Sequence, residues 1–165
     1  MADKTDSVII VTKDDIVISN SDIDTENIAP CYHAEADTRM FFHANHAAVT
    51  GSKNIIISSS DTDVVVLAIY VFIDLHINEL WIAFGKEKDF RWIPVHQTTR
   101  ALGPRCIALP FFHVFPGCDT VSVFVGKGKQ SALQTWNVFQ AATEVFSRLS
   151  SPVSSITDDE FSIIE

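Results

Sequence analysis

The chain has 165 residues, of which 47% are hydrophobic and 20% are charged, and its formal net charge is −9 at pH 7. This composition predicts one globular domain with an ordinary core rather than a disordered segment. The negative charge disfavours a general nucleic-acid coat protein, since phosphate binding depends on clustered Lys and Arg. It does not exclude a nuclease, because bound metal cations reverse the local field.

Targeting and redox signals point to an intracellular protein, nuclear or cytoplasmic, with no membrane partner. The longest apolar run, 64–73, is shorter than the roughly 20 residues that a membrane-spanning helix needs. The first seven residues hold no apolar signal-peptide core. The three cysteines, Cys31, Cys106 and Cys118, are widely spaced and form no CxxC pair, so neither a zinc ribbon nor a disulfide framework is indicated.

The predicted elements alternate between strands and helices. They are a β-branched hairpin over 7–19, a helix over 33–49, a strand over 54–58, a polar loop over 59–63, a helix over 64–76, a strand over 79–84, a strand over 90–94 that pairs with it across the 85–88 turn, and helices over 96–102, 106–115 and 131–149. For 64–76 a strand is the main alternative, because the run is rich in β-branched residues.

This order predicts an α/β fold in which strand, helix and strand form a parallel βαβ unit. The wholly apolar strand 54–58 indicates burial on both faces of the sheet. We expect residues 1–149 to form a single domain. Residues 150–165 are Ser-rich and acidic and predict a flexible tail.

Three short acidic motifs stand out, and the second carries the clearest physical argument. Asp61 and Asp63 follow the buried strand, and sites in open α/β sheets form beyond the carboxyl ends of strands. In extended backbone, residues two apart point to the same side, so both carboxylates would converge there. Crowded carboxylates favour a bound cation, and Mg²⁺ prefers carboxylate oxygen. The alternative is an ordinary helix cap.

The other two motifs are Glu35-Ala36-Asp37 and Gly117-Cys118-Asp119. Glu35 and Asp37 can converge only in the first turn of a helix, where the backbone dipoles favour anions. Taken alone, both fit solvated first-turn acids. Asp119 after a glycine fits an ordinary turn residue.

In combination, the motifs resemble the flap endonuclease and PIN-like nuclease superfamily. The strings are Glu35-Ala36-Asp37-Thr38-Arg39, Ser60-Asp61-Thr62-Asp63-Val64 and Gly117-Cys118-Asp119-Thr120-Val121-Ser122, followed by Gly126-Lys127-Gly128-Lys129. These strings look more closely like a group of uncharacterised animal proteins that are often mobile-element-like in distribution. The resemblance covers residues 29–149 and implies a three-layer parallel-sheet core with a C-terminal segment of helix-hairpin-helix type.

The resemblance implies a divalent-metal-dependent nuclease that cuts phosphodiesters of DNA or RNA with Mg²⁺ or Mn²⁺, at a site that can hold two metals. It assigns catalysis to Asp61, Asp63 and Asp119 and metal binding to the same three residues together with Glu35 and Asp37. Gly126, Lys127, Gly128 and Lys129 would hold the nucleic-acid backbone; a plain basic turn is the alternative.

One departure from the superfamily leaves a second function open. Its nucleases also place acidic residues on an earlier strand, and here only a hairpin-like segment precedes Glu35. We therefore expect either a fold that is incomplete at its N-terminus or a fragment of a longer product. The alternative function is a catalytically inactive PIN-like domain that serves as a nucleic-acid or protein interaction module.

Four other sites in the sequence have two interpretations each. His43 and His46 are three apart and suit a zinc site; the alternative for His43, favoured by its position on the apolar face, is a packed or bridging role. His113 either faces the acidic site or packs in the core. Arg39 either orients a carboxylate or phosphate or forms a surface ion pair. Cys118 is interpreted either as a nucleophile or as a buried small residue, and the second is favoured because no base is paired with it by motif.

Overall fold

A computed structural model describes residues 7–14, 16–26, 28–29, 36–117, 128–151 and 157–164. The strands are β1 (Ile10–Lys13), β2 (Ile16–Ser19), β3 (Asn54–Ser59), β4 (Glu79–Phe84) and β5 (Arg91–Pro94). The helices are α1 (Ala36–Val49), α2 (Thr62–Val71), α3 (Val95–Leu102), α4 (Arg105–Val114), α5 (Lys129–Val138), α6 (Ala142–Leu149) and α7 (Asp158–Ile164). Within these described ranges, no helix is long and apolar enough to cross a membrane.

The strands form two separate sheets. β1 and β2 pair antiparallel as a hairpin. The larger sheet has the order β3-β4-β5, with β3 parallel to β4 and β5 antiparallel to β4. The predicted hairpin, the βαβ unit and the pairing of β4 with the following strand are thus confirmed, and the fold is mixed α/β. The third layer of a PIN-like core stays a prediction.

The larger sheet is buried mainly on one face. Ile57, Leu80 and Ile82 pack into the main core with residues of α2, α3 and α4. On the opposite face Ile56 is 64% exposed, so the prediction that β3 is buried on both faces is wrong for the part of the chain described. An apolar strand sequence is compatible with burial of one face or of both faces. Which of the two occurs depends on the helices and loops that cover each face of the sheet.

Helix α2 connects the two parallel strands. It begins after Asp61 and buries Val64 and Ala68, which are four residues apart and so lie on one face. This confirms helix rather than strand, but the helix ends at Val71 instead of residue 76. The chain must turn there to enter β4, and the carbonyl of Lys53 accepts the N–H groups of residues 78 and 79 at that entry.

A second core holds the C-terminal helices together. The predicted helix over 131–149 is wrong as a single element, because the chain breaks between α5 and α6. The break lets Trp136 and Phe146 pack edge-to-face, with ring centroids 5.6 Å apart, and Phe112 of α4 stacks on Trp136 at 4.6 Å. Pro110 lies inside α4.

Helix α7 lies in the segment for which the sequence predicts a flexible tail. Thr157 and Glu160 form a capping box, in which the Glu160 carboxylate accepts the Thr157 N–H and the Thr157 Oγ1 accepts the Glu160 N–H. Arg148 of α6 forms an ion pair with Glu160. The Thr157 N–H and the Arg148 guanidinium lower the pKa of Glu160 to about 2.

Candidate functional site

The acidic Asp61-Thr62-Asp63 motif lies at the carboxyl edge of the larger sheet, as predicted. β3 and β4 run parallel and end opposite each other, with Ser59 beside Phe84. Beyond these ends, the N–H of Gly85 donates to the carbonyl of Ser59 at 3.2 Å. The first residues of α2 and the turn after β4 therefore share one edge of the sheet.

A local hydrogen bond fixes the first of the two carboxylates of this motif. Asp61 has extended backbone, and its Oδ1 accepts the N–H of Asp63 at 2.9 Å as the N-cap of α2. The N–H of Asp61 donates to Ser59 Oγ at 3.1 Å. Because the helix begins at Thr62, the assumption that both acids share an extended segment is wrong. Asp63 is held instead in the first helical turn.

A histidine from a distant helix contacts the second carboxylate. His113 of α4 places Nε2 2.7 Å from Oδ1 of Asp63, and the two side chains are 16% and 58% exposed. An ionised carboxylate only accepts hydrogen bonds, so the imidazole donates from Nε2. Of the two interpretations of His113, the structure supports the one in which it faces the acidic site.

The same contact places the end of α4 beside the Asp61-Thr62-Asp63 motif. Four residues after His113, the buried Gly117 donates its N–H to the carbonyl of Val114 at 3.0 Å, with φ at +109°. A positive φ is easily adopted by glycine, and here it turns the chain at the end of the helix. Cys118 and Asp119 lie outside the described residues.

The remaining predicted acids are only partly covered by the structure. Glu35 lies outside the described residues. Asp37 is in the first turn of α1, is partly buried, and has a hydrogen-bonding or electrostatic partner. Over the described ranges, no three His, Cys, Asp or Glu side chains are grouped so that they could hold a metal ion. Asp37, Asp61 and Asp63 therefore do not form such a group by themselves.

The Gly-Lys segment is also only partly described. Gly126 and Lys127 lie outside the described residues. Gly128 is exposed in extended backbone, and Lys129 is the exposed first residue of α5. Nothing lies within 4 Å of a Cβ built on Gly128, so this glycine is not required by crowding within the described chain.

The two histidines of α1 connect this helix to the N-terminal segment. His43 Nε2 is hydrogen-bonded to Thr12 Oγ1 of β1, and His46 Nε2 lies 2.7 Å from the carbonyl of Asp24. His46 is buried, and burial, followed by the neighbouring His46, lowers the pKa of His43. The contact with Thr12 supports the bridging interpretation of His43, and His46 connects α1 to the N-terminal segment in a similar way.

The donor set fits a divalent cation in part. A carboxylate has about four acceptor positions, so the bonds to Asp61 and Asp63 leave capacity for a hard cation. Sequence reasoning offered a position facing the acidic site as one of two interpretations of His113, but it did not include His113 among the site residues. No protein-family model, curated protein or solved structure matches the chain.

Proposed function

We propose that the chain is a divalent-metal-dependent, nuclease-like domain that acts on phosphodiesters of DNA or RNA. One observation carries the proposal: Asp63, at the carboxyl edge of the sheet, is hydrogen-bonded to His113, which lies six residues before Asp119 in the chain. This contact supports a common location for the second and third acidic motifs. Nuclease activity on a metal requires such convergence of carboxylates.

In this mechanism the protein residues bind and orient. Asp61 and Asp63 offer carboxylate oxygens, while the N-cap bond holds Asp61 in one rotamer. His113 is a positioning residue, because its Nε2–H keeps the Asp63 carboxylate from rotating. Glu35, Asp37 and Asp119 complete the proposed ligand set. Mg²⁺ or Mn²⁺ would activate a water molecule and stabilise the leaving oxygen in an in-line displacement.

The test is cleavage of labelled single-stranded and flap DNA and of RNA, with Mn²⁺ or Mg²⁺ and with EDTA. We expect cleavage that requires the metal and is lost in the double variant Asp61→Asn/Asp63→Asn. His113→Ala should lower the cleavage activity about 10- to 100-fold, which is the usual effect of removing a residue that orients a metal ligand. The matched control is Asp74→Asn, which removes an exposed acid just beyond the other end of α2.

A second candidate is a catalytically inactive PIN-like domain that binds nucleic acid or protein. The N-cap bond favours it, since capping of α2 explains Asp61 without any metal. Binding of oligonucleotides with no metal-dependent cleavage of any substrate would select this candidate. Equal cleavage by the wild type and the Asp61→Asn/Asp63→Asn variant would refute the nuclease assignment.

A further inference from the structure

The chain from the end of β4 to the start of β5 carries a small positive charge at the carboxyl edge. Residues 84–92 contain three cations against two acids, a net charge of +1 in a chain of net charge −9. The cations, which we call the basic rim, are Lys86, Lys88 and Arg91. All three are exposed, and the guanidinium of Arg91 lies 4.8 Å from the centre of the Phe84 ring.

The basic rim lies next to the Asp61-Thr62-Asp63 motif. The register pairs Arg91 with Phe84 and Phe84 with Ser59, so Arg91 is two strand spacings, about 10 Å, from the end of β3. The Gly85 N–H bond to the Ser59 carbonyl joins the turn to that strand end. A few nucleotides span such a distance, since phosphates of one stacked strand repeat about every 3.4 Å.

Two exposed aromatic residues flank Arg91 along the chain and lie on the opposite face of the sheet from it, because successive strand residues alternate in direction. Phe90 is 46% exposed and Trp92 is 53% exposed, and their ring centroids are 5.4 Å apart in an edge contact. Trp92 pairs with Ala83, which pairs with Ser58, so Trp92 belongs to the sheet face that also carries the exposed Ile56. We call Phe90 and Trp92 the aromatic pair.

We propose that the aromatic pair and the basic rim bind a single strand of DNA or RNA and deliver it to the Asp61-Thr62-Asp63 motif. Flat rings accept bases of any sequence by stacking, and lysine and arginine follow the phosphates. A duplex fits poorly, because its bases are already stacked on each other. The three cations favour a nucleic-acid strand over an apolar protein segment, because apolar side chains form no favourable electrostatic interaction with them. The proposal rests on the proposed function and names its substrate class.

Binding is measured in EDTA, so that its outcome does not depend on cleavage. The probes are fluorescein-labelled oligothymidylate and oligouridylate of about 20 nucleotides, longer than the ~4–16 nucleotides that aromatic-lined single-strand sites cover. A duplex of the same length is the competitor. Anisotropy titrations at several salt concentrations give the Kd and its salt dependence.

Substitutions in each half of the surface have distinct expected effects. Trp92→Thr, which keeps a β-branched residue in β5, should weaken binding about 5-fold or more, while Trp92→Tyr should restore it. The triple variant Lys86→Ala/Lys88→Ala/Arg91→Ala should also weaken binding. The slope of log Kd against log salt concentration should fall by about 0.7 for each phosphate that the variant no longer binds. The matched control, Lys53→Ala, removes an exposed cation at the opposite edge of the sheet.

Each result supports or overturns the proposal. Weaker binding in Trp92→Thr and in the triple variant, with Trp92→Tyr and Lys53→Ala like the wild type and melting curves unchanged, supports it. Unchanged affinity in Trp92→Thr and in the triple variant, tighter binding of the duplex, or no binding of either oligomer overturns it. The proposed function fails separately, if the wild type binds the single strand as expected but does not cleave it with Mn²⁺.

Discussion

Two roles assigned to Asp61, capping α2 and holding a cation, are separated by a pair of substitutions. Asp61→Ala removes the acceptor of the Asp63 N–H, and loss of an N-cap acceptor costs about 1 kcal/mol of the free energy of unfolding. Asp61→Asn keeps an oxygen in that place, and Asn caps about as well as Asp, so it should cost less than Asp61→Ala. For a chain of this size about 1 kcal/mol corresponds to roughly 2–4 °C in Tm.

The effect of metal on Tm should then separate the two roles. A ligand at about 100 times its Kd stabilises the folded state by about 2.7 kcal/mol, which is roughly 5–10 °C here. We expect Mn²⁺ to raise the Tm of the wild type and of the Asp74→Asn control in this way. Both Asp61 variants should lose most of the shift, although only Asp61→Ala loses the cap.

The assay is a set of circular-dichroism melts of the four proteins, without metal and over a series of Mn²⁺ concentrations. A full Mn²⁺ shift in Asp61→Asn would show that Asp61 is a cap and not a metal ligand. Equal metal-free Tm values for Asp61→Ala and the wild type would contradict the capping role. Absence of any Mn²⁺ shift in the wild type would remove the metal site from the proposal.

Gly85 and His43 provide two further tests. A Cβ on Gly85, whose φ is +82°, would lie 2.7 Å from the carbonyl oxygen of Asp89. Gly85→Ala should therefore lower the free energy of unfolding, measured in urea, by more than about 1 kcal/mol. An unchanged unfolding midpoint would contradict this. The pKa of His43 is lowered by burial from its ordinary value of 6.5, so its contribution to stability is complete above about pH 6.5 and is lost as the pH falls through the folded-state pKa. His43→Gln should therefore flatten the decline in stability between about pH 7 and pH 5, and an identical slope would refute the linkage.

Local patterns in the sequence predict most of the sheet and its edge. The β-branched runs and turn residues predict the β1–β2 hairpin and the pairing of β5 with β4, because neighbouring strands are joined by short turns. The order strand, helix, strand places Asp61 and Asp63 at the carboxyl edge of β3. A capping role for the motif is one of the two predicted interpretations, but the predicted helix begins at residue 64, whereas α2 begins at Thr62 and is capped by Asp61.

Helix lengths are predicted less well, because they depend on contacts as well as on periodicity. The stripe of apolar residues over 131–149 fits one helix, yet the chain divides it into α5 and α6. Folding back brings Trp136 and Phe146 together, while Phe139 at the break is 46% exposed. The spacing of hydrophobic residues does not show which of them are buried in a helix and which lie exposed at a turn.

The sequence by itself determines the order of the elements and the acidic motif after β3, because each depends on neighbours within a few positions. Only the tertiary structure places His113 against Asp63, fifty residues away, and leaves Phe90 and Trp92 exposed beside the carboxyl edge. These arrangements depend on how helices pack over the sheet. Side chains distant in sequence are brought together by burial of apolar area, which has no direction of its own and leaves no local pattern.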